Sequence, residues 1–470
     1  MRIQSSQALV PLLAIALLPL AACVDEKVVF EEPDNGPGEV PTAAAGFAGY
    51  QGHDAKLTFC GTCHVGKQAE WLKTGHSKAW VDLLESGAHE ESCEACHSTG
   101  QLGNAATALA GYQATRDRRY EDVQCEACHG AGLEHIGGPS KATLPSAPLA
   151  AGTTLTTGCG ECHRGTYQPQ LEEWASSRHS RLSALAASAS CTACHSGDGA
   201  LKAWGVDTDF AEKVPGATGR VAVTCAVCHD PHGSSNDASL RLSVRSESLQ
   251  TNLCMRCHQD RPTLDFGGMP HAGQGTVLLG DAGWRPASLQ GRVAATHGTA
   301  ASNPTLCVSC HSAPRTVKSA AGAVTFRDTG HRFWATPCVD ASGRPTSASG
   351  CDDDGRDYRS CTGAGCHGTP AIARAARARA EARVDALITE LSALLAKVPA
   401  AEFSSSDGRT SAGEGARYNR ELALKDGVIV HNPFLIEKLL IASIEELKQV
   451  YGLRQVTGVS LEPALTAAES

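Results

Sequence analysis

In the run Cys60-Gly61-Thr62-Cys63-His64, two thiols stand three residues apart and an imidazole follows the second directly. Residues i, i+3 and i+4 share one face of a helical turn. Two thiols so placed can bond covalently to one planar macrocycle while the imidazole binds its metal from below, so C-x-x-C-H reads as a c-type haem attachment site. The spelling recurs at Cys93, Cys96 and His97; Cys125, Cys128 and His129; Cys159, Cys162 and His163; Cys191, Cys194 and His195; Cys225, Cys228 and His229; Cys254, Cys257 and His258; and Cys307, Cys310 and His311. A stretched C-x4-C-H version is Cys361, Cys366 and His367. A zinc reading would pair C-x-x-C units into tetrahedra and has no use for a His after every pair. Nine motifs imply about nine covalent haems c and take eighteen of the 21 cysteines, leaving Cys23, Cys338 and Cys351.

The motif His fills one axial position of each iron, and the other ligand decides the chemistry. Met raises the potential, a second His serves electron transfer at lower potential, and an open position admits substrate. Of three Met, Met1 belongs to a leader, Met255 lies inside a motif, and Met269 remains. Ten His stand outside the motifs. Nine of them, His53, His76, His135, His179, His232, His271, His297, His331 and His431, are candidate second ligands, with His89 as the spare.

Placement supports this supply of ligands. Motifs begin at 60, 93 and 125 and again at 159, 191 and 225, in steps of 32 to 34 residues. Trp71 precedes His76-Ser77 by five residues, as Trp174 precedes His179-Ser180. Val123 and Val223 stand two residues before the third motif of each set, and His135 and His232 follow it. A fixed period of this kind marks internal duplication, here of a three-haem unit. A looser third set begins at 254, 307 and 361.

These motifs need elements to hold them, and aromatic residues are only 5% of the chain, so haem would supply much of the interior. The expected architecture is mostly α with extensive loops, little or no sheet, and a haem-packed body closed by a C-terminal helical pair. Residues 1–22 read as a signal peptide, with Leu20-Ala21-Ala22-Cys23 resembling a bacterial lipoprotein site. Residues 23–50 read as a tether, and 51–150, 151–245 and 246–369 as three-haem modules. Residues 370–460 read as the helical cap. Lys67 to Glu85 is expected to be helical, as is Ala371 to Val398, whose Val384, Leu387, Leu391, Leu394 and Leu395 form one face. Ala401 to Gly415 is expected to be a loop, and Asn432-Pro433 to start a second cap helix carrying Leu435, Ile436, Leu439, Leu440, Ile444 and Leu447. Export would permit a Cys338–Cys351 disulfide. The alternative, Cys351 with Cys366 on the last haem and Cys338 bonded to Cys361, stays open at this point.

Val123 to Gly132 followed by His135, Cys225 to Gly233, and Val430-His431-Asn432-Pro433 together resemble segments of bacterial multihaem cytochromes c. The resemblance covers roughly residues 52 to 452. It implies electron transfer, with the positions of His135, His232 and His431 as distal ligands. The implied setting is the periplasm or the cell surface, and the lipoprotein-like signal adds a lipid anchor at Cys23 in the outer membrane, on its periplasmic or cell-surface face. Redox proteins or an extracellular electron acceptor would be the partners, in an oligomer or complex or alone. Formal charge is −9, or −10 once a leader with Arg2 is removed, and no basic tract suggests nucleic acid. Two other classes remain: a reductase resembling the nitrite and hydroxylamine enzymes, with one open iron, and a subunit of an extracellular haem filament.

Overall fold

The computed structural model describes residues 44–104, 106–140, 143–145, 158–206, 220–259, 268–363, 366–404 and 408–465. The signal segment, Cys23 and the tether up to residue 43 lie outside these. Residues 43–470 form one unit. Among the described residues, sheet is limited to three antiparallel strand pairs: β1 (Tyr50–Gly52) with β2 (Leu57–Thr58), β3 (Arg315–Lys318) with β4 (Val324–Asp328), and β5 (Cys338–Val339) with β6 (Pro345–Ser347). The rest is short helical turns and loops, followed by long helices at the C-terminus. None of the described helices is long and apolar enough to cross a membrane.

The helix expected over Lys67 to Glu85 is broken into α1 (Val65–Trp71), a 3-10 turn (Gly75–Lys78) and α2 (Ala79–Glu85). The break is made by short polar side chains that cap the end of α1. The Thr74 hydroxyl donates to the Trp71 carbonyl at 2.8 Å, and the Ser77 hydroxyl to Leu72 and Thr74 carbonyls. Such local side-chain bonds compete with helix continuation. The duplicate repeats every bond at α3 (Gln170–Ser176): Ser177 caps Trp174 at 2.7 Å, and Ser180 caps Ala175 and Ser177. The two indoles also act alike, donating to the Val123 carbonyl at 2.9 Å and the Val223 carbonyl at 2.8 Å. Trp, Thr or Ser, His and Ser therefore form one structural unit, used twice, whose Trp ties it to the residue two before the third motif of its own triplet.

The cap has three long helices where the sequence suggested two: α4 (Pro370–Leu395), α5 (Ala412–Ala423) and α6 (Pro433–Tyr451). α5 begins inside the stretch expected to be a loop. Its start is a capping box, Ser411 with Glu414, a pattern readable in the sequence but masked by the surrounding Ser and Gly. Val384, Leu387, Leu391 and Leu394 of α4 meet Leu435, Ile436, Leu439, Leu440, Ile444 and Leu447 of α6 in a core closed to solvent. Each such side chain contributes about 1.5–3 kcal/mol on burial. Asn432 caps α6, its Oδ1 accepting from Leu435 N at 2.9 Å, with Pro433 in the first turn. The cap is seated on residues 284–293: Asn419 accepts from Trp284 N at 2.7 Å, and Asn432 donates to Val293 O at 2.8 Å.

The Cys338–Cys351 disulfide is formed, with Cα atoms 5.9 Å apart, and Cys361 and Cys366 are left as thiols. The wide spacing of the third triplet has a structural cause. The helix Gln274–Leu279 and the cap's docking segment are inserted before its second motif, and β3 to β6 with the disulfide before its third.

Candidate haem-binding site

The side chains of the body do not reach close packing on their own. They leave a continuous space of about 3440 Å3, and every motif from the second to the ninth contributes to its lining. Protein interiors are otherwise packed like organic crystals.

All nineteen His are among the described residues, and fourteen of them stand in seven facing pairs. The pairs are His76 with His163, His129 with His232, His179 with His258, His195 with His271, His229 with His331, His297 with His367 and His311 with His431. Their ring centroids lie 5.9 to 6.3 Å apart, too far for direct stacking contact. Two imidazoles bound to one metal at about 2 Å, with ring centres about 1 Å behind each nitrogen, would be separated by roughly 6 Å. Every pair joins one motif His to one His outside the motifs. The spacing therefore leaves room for a metal at the centre of a macrocycle and for nothing larger.

Hydrogen bonds select the required tautomer. The Nδ1 of His229 lies 2.8 Å from the Ala238 carbonyl, that of His311 3.0 Å from Phe333 O, and that of His297 2.8 Å from Val430 O. His97 does the same with Ala79 O at 2.8 Å. A carbonyl only accepts, so Nδ1 carries the proton and Nε2 keeps its lone pair for a metal. Burial, and after it the facing imidazole, holds His76 and His179 down at about 4 and His431 at about 3. These rings are neutral at physiological pH, the form a metal needs.

The pairs also stitch the triplets together. His76 and His179 each face the first motif of the following triplet. His232 and His331 each face the third motif of the preceding one. The remaining candidates are placed differently. His53 is held between Asp54 Oδ1 at 3.3 Å and Glu121 Oε2 at 2.7 Å. His135 sits 3.4 Å from the Thr143 hydroxyl. His89 pairs with Glu94 at 3.2 Å. No histidine ring stands opposite His64 or His97 at the spacing of the seven pairs.

The thiols are in contact as well. Cys60 lies beside Cys125, Cys96 beside Cys162, Cys159 beside Cys225, Cys194 beside Cys257, and Cys254 beside Cys307. Burial and then the neighbouring Cys159 and Cys125 push the Cys128 thiol up to about 12. Cys228 approaches Cys254 and Cys257, and Cys310 approaches Cys361 and Cys366. Counted along the chain, the attachment pairs thus run first, third, fourth, sixth, seventh, eighth, ninth. The second lies beside the fourth and the fifth beside the seventh. No group of three or more His, Cys, Asp or Glu that could hold a metal ion is found among the described residues.

Comparison with known proteins finds multihaem cytochromes. Residues 59–130 match the family profile for cytochrome c554 and c-prime, and residues 218–263 match that of the doubled CXXCH motif. The C-type polyheme cytochrome OmcB of two Geobacter sulfurreducens strains is 26% identical over 221 residues, covering 41% of this chain and 28% of that protein. The chain therefore matches under a third of the length of these relatives. Among solved structures, an undecaheme cytochrome from the S-layer of Carboxydothermus ferrireducens aligns over 88% of this chain and 70% of its own, at 17% identity and a TM-score of 0.48.

Proposed function

We propose that this chain, which is a multihaem c-type cytochrome, carries nine covalent haems and conducts electrons along one line of sites with two side sites. The seven facing imidazole pairs carry this reading. Haem supplies a one-electron redox centre whose potential follows its axial ligands. The chain's own residues do the placing. Eighteen Cys, from Cys60 to Cys366, would hold the macrocycles covalently, and the motif His from His64 to His367 would bind the metal. His76, His232, His179, His271, His331, His297 and His431 would close seven of the sites. Closed bis-His sites favour carrying electrons over binding substrate. The contact order of the thiols supports a conducting line with the second and fifth sites beside it. Three modules, 51–150, 151–245 and 246–369, with a cap over 370–460, remain a useful division. The facing pairs lock the modules to one another.

Anchoring through acyl chains at Cys23, at the outer membrane, completes the reading. Two or more chains would hold the protein stably, since each buried CH2 adds about 0.8 kcal/mol. A redox protein or an extracellular acceptor would then exchange electrons with the line.

A reductase reading has one observation in its favour: His64 and His97 face no imidazole, and an open position is what admits substrate. Two measurements test the proposal. Intact mass of the purified protein is expected to report nine haems. Eight would remove Cys361 and Cys366 from the set. The reduced His431→Ala variant is expected to bind about one carbon monoxide more per protein than wild type, because it opens the site of His311. Equal binding would overturn the ligand role of His431.

A further inference from the structure

His331 is brought to His229 by a carboxylate from a distant part of the chain. Glu173, on α3, is 0% exposed. Its carboxylate accepts three hydrogen bonds from the segment that carries His331: Thr329 N at 2.7 Å, Thr329 Oγ1 at 2.7 Å and His331 N at 2.9 Å. The Thr329 hydroxyl also lies 2.9 Å from His331 Nδ1. These bonds form a directed relay. A carboxylate accepts, so the hydroxyl spends its one proton on Glu173. The hydroxyl oxygen can then only accept from His331, which places the ring proton on Nδ1. Nε2 is left with its lone pair, and the ring stands 6.2 Å from His229 at an interplanar angle of 28°.

The duplicated site shows that the relay is a solution particular to this triplet. His232 is the counterpart of His331, and its own neighbour Asp230 accepts from His232 N at 3.1 Å. At His331 the residue two before is Thr329, so the local carboxylate is absent. On the helix side, the counterpart of Glu173 is Glu70, one residue before the repeated Trp. Glu70 is half-buried and paired with Lys67 at 2.8 Å. The carboxylate has moved from the ligand loop to the facing helix, and a hydroxyl spans the gap.

We propose that Glu173, acting through Thr329, is a positioning residue that fixes the tautomer and direction of His331 toward His229. It rests on the reading that His331 closes the site of His229. A purely structural clamp would instead affect folding or haem loading without changing one site selectively.

The test uses the full haem-loaded protein and four variants: His331→Ala, Thr329→Val, Thr329→Ser and Glu173→Gln. Each is checked for full covalent loading by intact mass, then reduced and titrated with carbon monoxide, with the spin state read from the oxidised spectrum. His331→Ala is expected to gain about one carbon monoxide per protein over wild type. If it gains none, the ligand reading of His331 falls, and this proposal with it. Given that gain, Thr329→Val is expected to show the same new binding or a high-spin signal from one site, while Thr329→Ser, which keeps the hydroxyl, behaves as wild type. Glu173→Gln puts an amide N–H against donors and is expected to follow Thr329→Val. A fully loaded Thr329→Val protein with wild-type spin state and binding would overturn the proposal while leaving His331 as a ligand. Should Glu173→Gln fail to load, Thr329→Val, which removes only the hydroxyl, decides alone.

Discussion

Replacing Asn432 with Ala tests whether the cap is held to the body by the bonds described above. Asn432 is 0% exposed and makes two of them. Its Oδ1 caps α6 at Leu435 N, 2.9 Å away, and its Nδ2 donates to Val293 O at 2.8 Å. Loss of an N-cap costs about 1 kcal/mol. Leaving the buried Val293 carbonyl without its side-chain donor costs about 1–3 kcal/mol more. Asn432→Ala is therefore expected to lower stability by about 2–4 kcal/mol. Asn432→Ser restores a capping oxygen but not the amide donor, and should fall about midway. Urea unfolding of the haem-loaded proteins, followed by far-UV circular dichroism, measures both, with stability extrapolated linearly to water. An Asn432→Ala protein within about 0.5 kcal/mol of wild type would refute the reasoning, because that is the range of a surface change. A Ser variant equal to Ala would show that the cap bond contributes nothing and the Val293 bond everything. His431 is the residue immediately before it, so fraying of α6 would loosen the ring that faces His311.

The His232 site should be acid-sensitive. A hydrogen bond with His232, and then the Arg241 guanidinium, hold the Asp230 carboxyl down at about 2. A depressed carboxyl contributes stability above its unfolded value of about 4 and loses it as pH falls toward 2. Acid titration of the low-spin spectrum is expected to show a step in that window, and Asp230→Asn should lack it. Removing the disulfide with Cys338→Ala and Cys351→Ala opens a loop with a sequence separation of 13 and should lower stability by about 3 kcal/mol in the chain-entropy account. Thermal unfolding of the loaded proteins checks this, and an unchanged midpoint would count against it. Cys23→Ser should release the protein from the membrane fraction on cell fractionation, and unchanged association would remove the anchor from the proposal.

The sequence by itself determined everything that is local. Two thiols and an imidazole within one turn spell an attachment motif whatever surrounds them, so the eight C-x-x-C-H motifs could be read directly and the stretched Cys361, Cys366 and His367 as a variant of them. The leftover pair Cys338 and Cys351, the Asn432-Pro433 helix start and the repeated Trp71 and Trp174 were legible for the same reason, since caps, short loops and repeats act over a few residues. The capping box at Ser411 was legible too and was lost only among its Ser and Gly neighbours. Tertiary structure decided which imidazole meets which motif. His76 passes over the two remaining motifs of its own triplet to face His163, and His331 reaches back to His229. No spacing rule encodes that choice, because it is made by packing between segments about a hundred residues apart. The same holds for His53, which the fold sets against Glu121, and for Glu173, an ordinary helix residue in the sequence that meets the Thr329 to His331 segment only in the fold. Covalent attachment depends on neighbours in the chain, whereas axial ligation and the order of the sites depend on neighbours in space.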